Sequence, residues 1–154
     1  MILDERNEFV DGSCVANIGN AILGDVIDQG PLTKNDGTTA VLRNAGVRPR
    51  YLVIEVTQTL VGATATVQWQ FVSDSTADLA TSRTVHVDTG AIAIASLVAG
   101  FQRVYRLPDE FTYERFLGIW QTVATANVTG GQVNIFLTDD VGRYAAYPDG
   151  VRTN

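Results

Sequence analysis

At 154 residues, 45% hydrophobic and 18% charged, the chain has the size and composition of one globular domain able to fill its own core. Its formal net charge is −6, and its eleven Lys and Arg lie scattered singly from Arg6 to Arg152, which speaks against nucleic acid as a partner. A single cysteine, Cys14, rules out an intrachain disulfide, and no apolar stretch approaches the ~20 residues that a membrane-spanning helix needs.

From the start of the chain, Asp4 and Glu5 stand where a signal peptide carries basic residues, so the expected place of synthesis is the cytoplasm. Residues 2–9 are the best helical candidate. A short strand is predicted over residues 23–28, followed by turn signals at Gly30-Pro31, Asn35-Asp36-Gly37 and Asn44-Ala45-Gly46. Over residues 51–57, Leu52, Ile54 and Val56 point one way and Tyr51, Val53, Glu55 and Thr57 the other. Residues 65–73 alternate more cleanly, with Val67, Trp69 and Phe71 on one face and Thr66, Gln68 and Gln70 on the opposite one. Residues 83–88 place Val85 and Val87 inward against Thr84, His86 and Asp88. A strand is expected near residues 91–96 and another over 101–107, then a helical turn near 109–113 after Pro108. Residues 116–124 are apolar on both faces, which suits a central strand, and residues 132–138 line up Val133, Ile135 and Leu137.

No repeat or linker divides the chain, so residues 1–154 read as a single domain with terminal arms of about 1–20 and 140–154. Many short strands punctuated by Gly, Asn and Asp predict an all-β, antiparallel two-sheet sandwich. The loops at 33–50 and 75–82 carry no pattern that sets their conformation.

Reactive chemistry is sparse. His86 is the lone histidine, read as facing outward, and Cys14 sits in Asp11-Gly12-Ser13-Cys14 with nothing to place it beside His86. One Cys and one His fall short of the four ligands of a structural zinc site, and Asp139-Asp140 and Asp25/Asp28 lack calcium-loop spacing. Catalytic, metal and cofactor-binding residues are therefore expected to be none. Two carboxylates of glycosidase type stay open, because sequence does not set their separation. Trp69 follows the core face of its strand, whereas Trp120 is ambiguous.

Several stretches resemble the capsid cement (decoration) proteins of short-tailed bacteriophages, Bordetella-phage type. These are Met1-Ile2-Leu3-Asp4 with Glu8-Phe9, Leu23-Gly24-Asp25-Val26-Ile27-Asp28, Tyr51-Leu52-Val53-Ile54 and Thr66-Val67-Gln68-Trp69-Gln70-Phe71-Val72-Ser73-Asp74. Tyr113-Glu114-Arg115-Phe116-Leu117-Gly118, Asn134-Ile135-Phe136-Leu137-Thr138 and Tyr147-Pro148-Asp149-Gly150 follow in the same order, with Phe116 where the family segment has a second tyrosine. The resemblance implies a jelly-roll domain with no enzymatic activity. It implies binding as a dimer to the outside of the major capsid protein lattice near two-fold axes, stabilising the head against packaged DNA. It further implies a virion location on the capsid exterior, with the major capsid protein and a second copy as partners, and neither nucleic acid nor membrane.

Contacts with such a lattice are expected from flanking segments, where Leu3, Phe9, Tyr144 and Tyr147 are the candidate interface residues. Packing of these four onto their own domain is the competing expectation. Two rival readings stay open. A carbohydrate- or receptor-binding jelly roll, glycosidase-like or not, predicts an exposed aromatic platform. A head-completion or tail component predicts a closed ring.

Overall fold

The computed structural model describes residues 7–14, 17–30, 42–43, 50–107 and 112–141. Its strands are β1 (Glu8–Ser13), β2 (Gly19–Asp28), β3 (Leu42–Arg43), β4 (Arg50–Gly62), β5 (Thr66–Asp74) and β6 (Thr84–Asp88). They continue as β7 (Ile92–Ala93), β8 (Gln102–Leu107), β9 (Thr112–Tyr113), β10 (Phe116–Ala124) and β11 (Val128–Thr138), with a 3-10 turn at Ile94–Ser96. Every strand pairing is antiparallel.

The strands build two main sheets, one ordered β1-β11-β4-β8 and the other β2-β10-β5-β6, with β7 attached to β5. Leaving aside the two-residue strands, the first long strand pairs with the last in one sheet and the second with the seventh in the other. That connectivity is a jelly roll, two Greek keys wound into a sandwich. A small separate ribbon pairs β3 with β9.

The alternating residues become strands because each inward side chain then meets the opposite sheet while the backbone pairs with its neighbours. Leu52, Ile54, Val56, Val133, Ile135 and Leu137 from one sheet pack against Val67, Trp69, Phe71, Leu117, Ile119 and Val123 from the other. Each fully buried aliphatic or aromatic side chain of this kind contributes about 1.5–3 kcal/mol of transfer free energy. The second face of the β4–β11 pair is buried too: Val53 and Phe136 lie opposite one another and both are fully covered. As its two apolar faces predict, β10 runs between β2 and β5.

Two glycines mark close approaches. Gly24 has φ +70°, and a Cβ there would collide with the Phe9 carbonyl. It sits in the bulge between Leu117↔Ile27 and Ile119↔Leu23, where β2 bends toward β1. Gly118 lies under Leu79, whose Cδ1 a side chain at 118 would strike. Leu79 belongs to the 75–83 loop and is fully buried, so this loop folds back onto the outer face of the five-stranded sheet.

Several expectations change. Glu8 and Phe9, read as the end of a helix and part of an arm, begin β1, and Gly19 and Asn20, also read as arm, begin β2. Thr112 and Tyr113, read as a helical turn, pair with β3. The 91–96 segment holds a strand only at Ile92–Ala93 and then turns. At Glu8–Phe9 and Thr112–Tyr113, strand pairing with a distant segment overrides a weak local preference.

Candidate functional site

His86 faces inward. Strict alternation would put Val85 and Val87 inside, but the β5–β6 ladder slips between Phe71↔Val87 and Val72↔Val85. His86 is the extra residue of that bulge, and one extra residue sends everything beyond it to the opposite face. Val85 is consequently 46% exposed, a reversal of its expected position. The His86 ring packs 4.8 Å from the Tyr113 ring and 5.7 Å from that of Phe71. Its Nε2 shares a 2.8 Å hydrogen bond with Ser73 Oγ. Burial pushes His86 down to about 4, so the ring is neutral at pH 7. A Ser–His hydrogen bond is half of a nucleophilic arrangement. Ser73, however, has no accessible surface, and the bond ties the bulged edge strand to its neighbour.

Cys14 lies elsewhere, half-buried, with Sγ 3.7 Å from Gln121 Oε1. Burial raises its thiol, so nucleophilic thiolate is disfavoured. Gln121 is itself fully buried and accepts a 2.8 Å hydrogen bond from Trp69 Nε1. Cys14, Gln121 and Trp69 thus form a polar thread through the core, and Trp69 sits in the interior as its strand pattern predicts.

The carboxylates of Asp28 and Asp74 are engaged as structural acceptors. Asp28 takes two 2.7 Å hydrogen bonds from the Arg115 guanidinium, which holds it down at about 2. The Asp140 amide donates to Thr138 Oγ1 at 3.2 Å. Asp74 caps the loop that follows β5: its carboxylate accepts from the Ser82 and Thr76 amides, each at 3.1 Å, and from both of their hydroxyls. Burial would raise Asp74, but these hydrogen bonds outweigh it and keep the group below the usual carboxylate range. Among the described residues no three His, Cys, Asp or Glu gather as a metal-binding group.

The outer face of the five-stranded sheet carries an outward aromatic, Trp120. Ile119 and Gln121 point into the core, so Trp120 points out, between Ile22 and Gln70 on the adjoining strands. The Arg83 guanidinium lies 4.0 Å above the indole ring and donates to the Leu79 carbonyl. Beside it, Gln68 and Gln70 amides donate to Asp88 at 2.7 and 2.8 Å, and the Gly90 amide donates to the same carboxylate. Burial tends to raise Asp88, and these three donors hold it low instead. The alternation of β5 already marked Gln68 and Gln70 as outward; Arg83 comes from a loop and gave no such cue.

Of the four candidate interface residues, Leu3, Tyr144 and Tyr147 lie outside the described residues. Phe9 is corrected. It stands in β1 with 1% of its surface exposed and its ring 5.6 Å from Phe71, inside the core of its own domain. The reason is the β1–β11 pairing, which draws the segment into the sheet and turns Phe9 inward.

The model of the Bbp16 family matches residues 9–137, from β1 almost to the end of β11. No curated protein matches the chain.

Proposed function

This chain belongs to the Bbp16 family of bacteriophage proteins, and from that premise we propose that it is a capsid cement protein, non-enzymatic, carried on the exterior of the virion. It binds the major capsid protein lattice near its two-fold axes and stabilises the head against packaged DNA. The observation that carries the proposal is the family match across the whole sandwich, residues 9–137, together with the ordered resemblance of the strand segments.

The local chemistry supports a mechanical role. Three of the groups that sequence singles out, His86, Cys14 and Asp28, are each bonded to structural neighbours. Two copies joined as a dimer would engage neighbouring capsid subunits together, and linked sites gain about 10²–10⁴ over either alone. A carbohydrate- or receptor-binding role is the second reading, favoured by outward Trp120. Against it stand Arg83, stacked on the ring, and Asp88, committed to Gln68 and Gln70.

The test uses heads assembled without the protein. Mixed with them, pelleted and counted on a gel, the protein should bind at a fixed ratio to capsid subunits and raise the melting temperature of the heads. A ligand of the intact lattice at a hundredfold excess over Kd stabilises each site by about 2.7 kcal/mol. Protein left in the supernatant, or bound without a thermal shift, would overturn the cement reading.

A further inference from the structure

Charge is distributed along this chain in blocks. Segments 14–24, 56–73, 89–102 and 116–138 contain no Asp, Glu, Lys, Arg or His. The jelly roll brings the middles of all four to one end of the sandwich. There the connections β1–β2, β4–β5, β7–β8 and β10–β11 meet. The Ile18 amide donates to Asn127 Oδ1 at 2.9 Å, joining the first connection to the last. Thr129 Oγ1 donates to the Val61 carbonyl, and the Ala99 amide donates to Thr59 Oγ1 at 2.9 Å. Leu60 and Leu97 are joined through their backbones.

This uncharged end displays three large aliphatic side chains: Ile18 at 56%, Val61 at 56% and Val98 at 49% exposure. They are three of the five strongly exposed large hydrophobics among the described residues. The charged groups Asp28–Arg115, Asp74 and Glu114 beside Thr84 belong to the opposite end of the strands, and Asp88 stands midway along the sheet opposite Gln70.

We infer that this charge-free end is the surface that docks on the outer face of the capsid lattice, against an uncharged, apolar patch of a shell subunit. The docking end presupposes the cement role proposed above. Desolvating a formal charge is costly, and interface centres are depleted of charged residues for that reason. Seated by this end, a body of net charge −6 leaves its formal charges in solvent, where neighbouring copies on the shell are screened from one another. A second free copy fits less well as the occupant. Three half-exposed aliphatic side chains offer a few hundred Å² at most, below the roughly 800 Å² per partner of a standard interface. On a lattice the same small contact is sufficient, because linked copies engage it at two points.

Val61→Asp and Val98→Asp, made separately, place one charge in this surface, and Val85→Asp places one on the exposed edge of β6 as a control. All three sites are exposed, so melting temperatures should stay near that of the unaltered protein; if Val61→Asp unfolds, Val61→Ser probes the same spot. In titrations with heads assembled without the protein, the two end variants should bind at least tenfold more weakly, with the control unchanged. If the unaltered protein binds and the end variants bind equally well, the docking end is overturned while the cement role stands. If the unaltered protein does not bind, both fall. If the end variants bind heads normally but sediment as smaller species, the end is occupied by a second copy and the inference is overturned.

Discussion

Trp69 Nε1 and Gln121 Oε1 meet at 2.8 Å between side chains with 1% and 0% exposure, deep between the two sheets. Gln121→Leu keeps approximate volume but removes the acceptor, leaving an indole N–H in an apolar site. A buried donor stripped of its partner costs about 1–3 kcal/mol. For a chain of this length each kcal/mol moves Tm by roughly 2–4 °C, so Gln121→Leu should lower Tm by about 2–12 °C. Trp69→Phe removes the donor and some ring volume, for a comparable loss. The double variant presents two apolar groups and should lose less than the two single losses combined, with a coupling of about 1–2 kcal/mol. Trp69→Ala, which adds a cavity, should cost about 3–5 kcal/mol. Urea unfolding followed by circular dichroism gives all four values on one scale. Full additivity in the cycle, or a Gln121→Leu variant as stable as the unaltered protein, would refute the idea that this hydrogen bond is satisfied only inside the sandwich.

The His86 ring sits at about 4 when folded against 6.5 as a free group, so between those values the unfolded chain takes a proton that the folded one refuses. Stability should therefore fall by about 2 kcal/mol as pH drops from 7.5 toward 4, after allowing for solvent screening of a half-buried ring. In His86→Gln, urea midpoints across that range should show a shallower fall. Asp74→Ala removes the acceptor shared by Ser82 and Thr76; limited proteolysis should then cut within residues 75–83 faster, with a stability loss of about 1–3 kcal/mol. Gly24→Ala puts a Cβ onto the Phe9 carbonyl at a positive φ, and should cost more than the ~1 kcal/mol typical of substitutions, seen as a lowered Tm or insoluble expression.

Much of the sandwich was legible in one dimension. Alternation along 65–73 and 132–138 selected Val67, Trp69, Phe71, Val133, Ile135 and Leu137 for the core, and all six are buried there. The two-sided apolar run of 116–124 marked a central strand, and β10 is one. Such patterns are readable because a strand's side chains alternate with a period of two whatever its partners are.

What depended on partners was not readable. His86 and Val85 exchanged faces because of a bulge against β5, a slip defined by two strands at once. Phe9 entered the core because β1 found β11 more than a hundred residues later. Trp120 was ambiguous in its own strand; it points out because Ile119 and Gln121 point into the core, and the 75–83 loop then lays Leu79 on Gly118 and Arg83 on the indole. The uncharged end is the clearest division of this kind. Its four segments are visible in the sequence as gaps between charges, but they form one surface only because the jelly roll's antiparallel connections turn at the same end. Periodicity is a local property of the backbone and survives in sequence; register, bulges and the meeting of loops are set by contacts between residues far apart in the chain, and they exist only once the chain has folded.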